Sequence, residues 1–240
     1  MKAALPQGPY ILAIETATAQ GVIALYAQHQ LLGSLGIRRQ QSHARLLMPM
    51  IDHLLKAWDL SVQDLGAVAV SKGPGSYTGL RVGVSTAKGL CFAMDKPLLS
   101  YDSLYALAAE QRELAQQLDA MIVPMIDARR MEVYCSTFDS ELNRLGEIEA
   151  KVIEQGSFHG LLEKKKLIFC GDGAEKCRAI LSLSPQAIVL GQALASASAI
   201  GAYLWNKWQA SDFEDLVSFE PFYLKQFRVT KSKDPLKGYR

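Results

Sequence analysis

The segment from Ser71 to Lys88 has the residue spacing that most invites chemistry: a glycine-rich turn, Gly73-Pro74-Gly75-Ser76-Tyr77-Thr78, opening into a helix. Free N–H groups at a helix start bind anions, so a phosphate is one reading. The specific patterns are absent. No glycine is followed by Lys-Ser or Lys-Thr at Walker A spacing, and a G-x-G-x-x-G pattern would put its third glycine at Thr78. The other reading is packing. Gly79, Gly83 and Ala87 recur every four residues as a stripe without bulk, while Arg81, Ser85 and Lys88 share the more polar face. Packing and partner contact are favoured over catalysis, with the anion left as the alternative.

Other chemistries find less support. Gly83-Val84-Ser85 resembles half of a nucleophile elbow, but Ser85 falls in mid-helix. His43 and His53 lie ten apart and so on different faces of one helix, and His29 and His159 have no ligand at useful spacing. Cys91, Cys135, Cys170 and Cys177 form no C-x-x-C and read as small core residues of a reducing compartment. Glu15, Asp102, Asp127 and Asp172 all fall at predicted strand ends, where they serve either as turn and cap residues or as an acid–base pair.

The elements that must position these residues follow from periodicity. Strands are predicted at Tyr10–Ile14, Gly21–Tyr26 and Gln30–Ile37, then a helix from Ser42 to Trp58 with Ser42 as N-cap. Leu46, Leu47, Met50, Ile51, Leu54 and Leu55 share one face of it, and their burial at ~1.5–3 kcal/mol each outweighs the ~3 kcal/mol cost of Pro49. A wholly apolar strand at Ala67–Val70 feeds the glycine turn and a helix from about Thr78 to Ala93. Leu98–Tyr101 is the next strand and Asp102–Gln117 the next helix. Further strands are expected at Met121–Ile126, Glu132–Phe138, Leu167–Cys170 and Ala187–Leu190, a helix around Ala179 and Leu181, and a small-residue helix at Ala193–Trp208; Phe219–Leu224 closes the fold. This is a mixed α/β chain in two lobes, 1–118 and 119–240, each starting with strands and ending with helices.

The 240 residues, 49% of them hydrophobic, suffice for a real core. The net charge of +2 gives no strong field, except that Arg228, Lys231, Lys233, Lys237 and Arg240 stand against Asp234 alone in the last stretch. That tail is either a solvated terminus or an RNA contact. No apolar run approaches ~20 residues, so a soluble, cytoplasmic protein without membrane contact is expected.

Several segments together resemble the TsaB (YeaZ) family. They are Ile11-Leu12-Ala13-Ile14-Glu15-Thr16-Ala17-Thr18, Ser42–Met50, Gly73–Gly83, Asp127–Tyr134 and Pro221-Phe222-Tyr223-Leu224. Met131 stands where that family usually has glycine, and Lys225 where arginine is more usual. The resemblance implies a two-lobed ASKHA (actin-like, Hsp70-like) fold with mixed sheets flanked by helices. It further implies a non-catalytic subunit needed to make threonylcarbamoyladenosine at position 37 of tRNA, bound to the catalytic TsaD and with the ATPase TsaE. TsaD-type proteins carry a His-x-x-x-His metal pair after the strand matching Leu98–Tyr101; here Ser100–Leu107 holds no histidine, and Ala19 and Gln20 replace an acidic pair. No cofactor or metal is therefore expected, and a nucleotide at the subunit contact stays open. The family contact implies that Leu46, Leu47, Met50, Leu54, Gly79, Arg81, Gly83, Ala87 and Lys88 face the partner, or a second copy when the partner is absent. The alternative is a hydrolase, protease or nucleotide-cleaving enzyme in its own right.

Overall fold

The computed structural model describes residues 8–38, 43–191 and 197–225. The expected N-cap Ser42, part of the small-residue helix and the basic tail fall outside them. The first sheet is built from β1 (Tyr10–Glu15), β2 (Gln20–Ala27), β3 (Gln30–Arg38), β4 (Leu65–Ser71) and β5 (Leu98–Tyr101). Its order is β3-β2-β1-β4-β5, antiparallel across the opening meander and parallel from β1 through β4 to β5. Helices α1 (His43–Lys56) and α2 (Tyr77–Met94) cover one face, as the 3.6-residue periodicity requires, and Pro49 is tolerated inside α1. Leu47, Met50, Ile51, Leu54 and Leu55 join Leu12, Ile14, Ile23 and Val70 in a single core.

The second sheet repeats the plan. β6 (Ala120–Asp127), β7 (Glu132–Cys135), β8 (Glu149–Val152), β9 (Lys166–Cys170) and β10 (Ala187–Leu190) lie in the order β10-β9-β6-β7-β8. Read from the other edge, each sheet runs third, second, first, fourth, fifth strand of its half, with the same parallel and antiparallel pairs. The fold is thus a two-lobed α/β duplication. Edge strand β8 was not foreseen, because Glu149-Ala150-Lys151-Val152 is half charged and its residues are exposed or only partly buried.

The predicted single helix Asp102–Gln117 is two helices, α3 (Ser103–Ala109) and α4 (Arg112–Leu118). Asp102 caps the first, accepting from Leu104 N (2.7 Å) and Tyr105 N (3.2 Å). The break has a packing cause. Ala106 and Ala109 belong to the core under the first sheet, while Leu104, Leu107 and Ala108 belong to that of the second, so α3 is wedged between lobes. α4 then turns out over β6 and buries only Ala115. Short helices α5 (His159–Leu162), α6 (Asp172–Lys176) and α7 (Arg178–Leu181) serve the second sheet.

α8 (Gly201–Gln209) starts later than the expected Ala193. Tyr26 donates its hydroxyl to Ala197 O, and a Cβ on Gly201 would come within 3.0 Å of the Tyr26 ring, so the chain must turn here before the helix can begin. Leu204 then packs beneath the first sheet, although α8 lies in the second half of the sequence. The final segment also crosses back. Glu214 N bonds Leu98 O (2.8 Å), and Phe222 N bonds Lys72 O (2.6 Å). The expected element Phe219–Leu224 is this extended strap, not a ladder strand.

Candidate functional site

The glycine turn is closed by the chain itself. Gly73, in left-handed backbone (φ +109°) and cis to Pro74, leaves room for Phe222 O. Ser76 caps α2, its Oγ accepting from Gly79 N (3.2 Å), and Ser76 N donates to Ala17 O (2.6 Å). A Cβ on Gly75 would press on Ala17, one on Gly79 on Thr16 O and one on Gly83 on Thr16 Oγ1, each closer than 3.0 Å. The close neighbour of the small-residue stripe is therefore the β1–β2 loop, which corrects the expectation that Gly79, Gly83 and Ala87 face a partner.

The other expected partner residues divide in the same way. Leu47, Met50, Leu54 and Ala87 are buried in the chain's own core, with Leu46 half-buried against it. Lys88 does not face outward: its Nζ donates to Val217 O (3.1 Å) and Phe219 O (3.0 Å), holding the strap. Arg81 is exposed, donates to Tyr77 Oη (3.1 Å) and lies over that ring, which packs on Tyr223 (4.8 Å). Thr78 is exposed beside it. Sequence reasoning missed Met48 on α1 and Phe92 on α2, 45% and 83% exposed; both fall off the core stripe, and an apolar residue there is the available signal. Replacing Lys88 with alanine is expected to cost about 1–2 kcal/mol and to speed amide hydrogen exchange at Ser218 and Phe219, read by mass spectrometry. Unchanged exchange would refute the strap-holding role.

Between the lobes lies a cavity of about 750 Å³, lined among others by Lys72, Gly73, Asp102, Arg144, Glu214 and Phe222. Asp102 is tied to Arg144 (2.6 Å), and Glu214 accepts from Ser100 Oγ. Glu15 does not reach this cavity. It is fully buried, with Oε1 accepting from Ala17 N (2.7 Å) and Oε2 unbonded, and burial pushes its pKa up to about 7. Ser71 stands close enough to temper that rise, yet its own hydroxyl pairs with Ser103 Oγ at 2.5 Å. Asp127 and Asp172 are brought together in the second lobe. Asp172 accepts from Asp127 N (2.9 Å), and burial raises its pKa, whereas Asp127 pairs with Lys176. Glu15 and Asp127 thus have unrelated surroundings. The four cysteines are buried and unpaired, and burial pushes the Cys91 thiol up to about 11 and Cys135 to about 12. Among the described residues no group of three His, Cys, Asp or Glu is placed to hold a metal, and no helix is long and apolar enough to cross a membrane.

Two repeated α/β lobes with helices on their faces and a cleft between them define an ASKHA-type chain. A model of the TsaD family, tRNA N6-adenosine threonylcarbamoyltransferase, matches residues 37–232. The chain belongs to this family, and within it to the TsaB/YeaZ type. It is 38% identical to the tRNA threonylcarbamoyladenosine biosynthesis protein TsaB of Bacillus subtilis, over 53% of this chain and 54% of that one. It is 36% identical to the Haemophilus influenzae protein of the same name, over 52% of each. The matched stretch spans about half the length of these curated relatives. Among solved structures, YeaZ from Pseudomonas aeruginosa superposes with a TM-score of 0.75 at 23% identity, covering 90% of this chain and all of that one, which shows the shared fold.

Proposed function

We propose that this chain is a non-catalytic subunit in the formation of tRNA N6-threonylcarbamoyladenosine, binding a TsaD-type catalytic subunit, with TsaE, through the outer face of α1 and α2. The observation that carries the reading is Phe92. A phenylalanine 83% exposed on a helix whose inner face is already saturated gains nothing from the monomer's fold. Met48 and the Arg81–Tyr77 pair extend that outer surface. The relatives' names place this type of protein in threonylcarbamoyladenosine biosynthesis. The candidate acids support a non-catalytic role: Asp102 and Asp127 each carry a cationic partner, and Glu15 is sealed under its own loop. When the partner is absent, a second copy would cover the same face. A cytoplasmic location fits this role.

The test replaces surface residues. Leu47→Asp or Gly83→Arg would disrupt the core and report on folding instead. Met48→Asp with Phe92→Asp is expected to keep the wild-type melting temperature, to weaken co-elution with TsaD at least tenfold, and to lower tRNA modification in reconstitution with TsaD and TsaE. Wild-type binding by this double variant would refute the interface. The cavity at Asp102 motivates the alternative of an independent hydrolase. Turnover of ATP or a peptide by the isolated chain, lost in Asp102→Asn, which keeps the cap of α3, would establish that alternative.

A further inference from the structure

The two lobes share one helix. α3 sends Ala106 and Ala109 into the core of the first sheet and Leu104, Leu107 and Ala108 into that of the second. Its Tyr105 ring packs on Tyr203 (4.7 Å) and on Phe138 (6.3 Å). Packed domains move by hinge rotation or by shear of such elements, so a single shared helix holds the lobes together while leaving them a pivot. Asp102, the cap of this helix, is tied to Arg144 of the second lobe (2.6 Å), and Arg144 lies over the Phe138 ring (4.9 Å). That tie sits at the end of the pivot and has little leverage against rotation.

The strap reaches the second lobe through a different element. Glu214 N on Leu98 O (2.8 Å), Lys88 Nζ on Val217 O and Phe219 O, and Phe222 N on Lys72 O (2.6 Å) stitch it to the first lobe. The Tyr223 ring continues the seam by packing on Tyr77 of α2 (4.8 Å). From Glu214 to Tyr223 the strap therefore moves with the first lobe. Two residues on, Lys225 crosses over. Its Nζ pairs with Glu132 of β7 and lies 5.7 Å from the centre of the Tyr134 ring. Lys176 donates to Glu132 O (2.7 Å), which steadies the backbone that carries the carboxylate. The two side chains of this pair are 37% and 26% exposed, so salt screens it less than an open surface pair. The strap also forms one wall of the inter-lobe cavity, which Asp102 and Arg144 line from either lobe.

We infer that the returning strap braces the two lobes, with Lys225 as its attachment to the second, so that the cleft of the isolated chain keeps one opening. The shared helix, the Asp102–Arg144 pair and the Lys225–Glu132 pair join the lobes at separate places, and together they remove the rotation that the helix alone allows. The helix is packed apolar surface, whereas the other two are charge pairs of modest strength, and the strap's pair is where the cleft can be released. The brace does not depend on the proposed function. A cleft held at one opening suits a scaffold better than an enzyme that closes on its substrate.

The test measures the distance between spin labels in the full-length chain, attached at Gln63→Cys in the first lobe and Gln155→Cys in the second. Both positions are exposed, and the four native cysteines are buried. With the strap intact, one narrow distance distribution is expected. Lys225→Glu sets two carboxylates against each other at β7 and should add a second population of about a tenth of the molecules or more, with the circular dichroism of the folded chain unchanged. Lys225→Glu combined with Glu132→Lys restores opposite charges in exchanged places and should return the single distribution. If Lys225→Glu fails to fold, Lys225→Met, which keeps an apolar stem over Tyr134, carries the same expectation. An unchanged distribution in the single variant would overturn the inference. So would a second population already present with Lys225 in place, or one that the exchanged pair leaves behind. Co-elution with TsaD is read on the same proteins: a chain that never co-elutes, yet broadens in Lys225→Glu, would sustain the brace and defeat the proposed function.

Discussion

Gly79→Ala is expected to destabilise the protein by about 3 kcal/mol or more. The new Cβ would meet the carbonyl oxygen of Thr16, and backbone on both sides leaves neither group a rotamer by which to escape. For a chain of this size the melting temperature should fall by roughly 6–12 °C. Gly89→Ala is the matched control on the same helix: it is exposed, nothing lies within 4 Å of its added methyl, and the lower backbone entropy should stabilise by about 0.5–1 kcal/mol. Opposite signs in thermal or urea denaturation would establish that the stripe packs on the β1–β2 loop. Two small changes of the same sign would show that the loop yields and that the stripe is free for another partner.

The second large effect is a pH dependence from Glu15. Burial raises its pKa from the ordinary 4.5 to about 7 in the folded chain, so the native state holds a proton that the unfolded state has already lost. Stability from this group is therefore fully present below about pH 4.5, declines as the pH rises towards about 7, and levels off above it. The decline corresponds to about 3 kcal/mol at most. Glu15→Gln keeps an acceptor for Ala17 N and cannot ionise. Its stability advantage over wild type should be near zero at pH 4.5 and reach its full size by pH 8, measured by urea denaturation at each pH. A difference independent of pH would mean that Glu15 is ionised in the native state, and would reopen it as a candidate base.

The lobes' elements were largely legible because each is short and strongly patterned. The continuous apolar β1, β4 and β6 announce strands covered on both faces, and the stripe from Leu47 to Leu55 announces a helix on a sheet. The misses share a cause. The break between α3 and α4 and the late start of α8 depend on which core claims each residue, and local periodicity does not carry that. The site was less legible than the fold. A stripe of glycine and alanine states that some backbone comes close, but not whose; only the position of Thr16 answers it.

The sequence by itself determined the class: the strand and helix order, the absence of phosphate-loop spacing, and the family segments from Ile11 to Leu224. Those are properties of neighbouring residues and of period, so they survive without coordinates. Tertiary structure alone decided the direction in which each side chain faces. It turned Leu47 and Gly83 inward, left Phe92 outward and assigned Lys88 to the returning strap. Those outcomes hang on contacts between residues far apart in the sequence, as between Gly83 and Thr16 or Lys88 and Val217, and no local pattern encodes them.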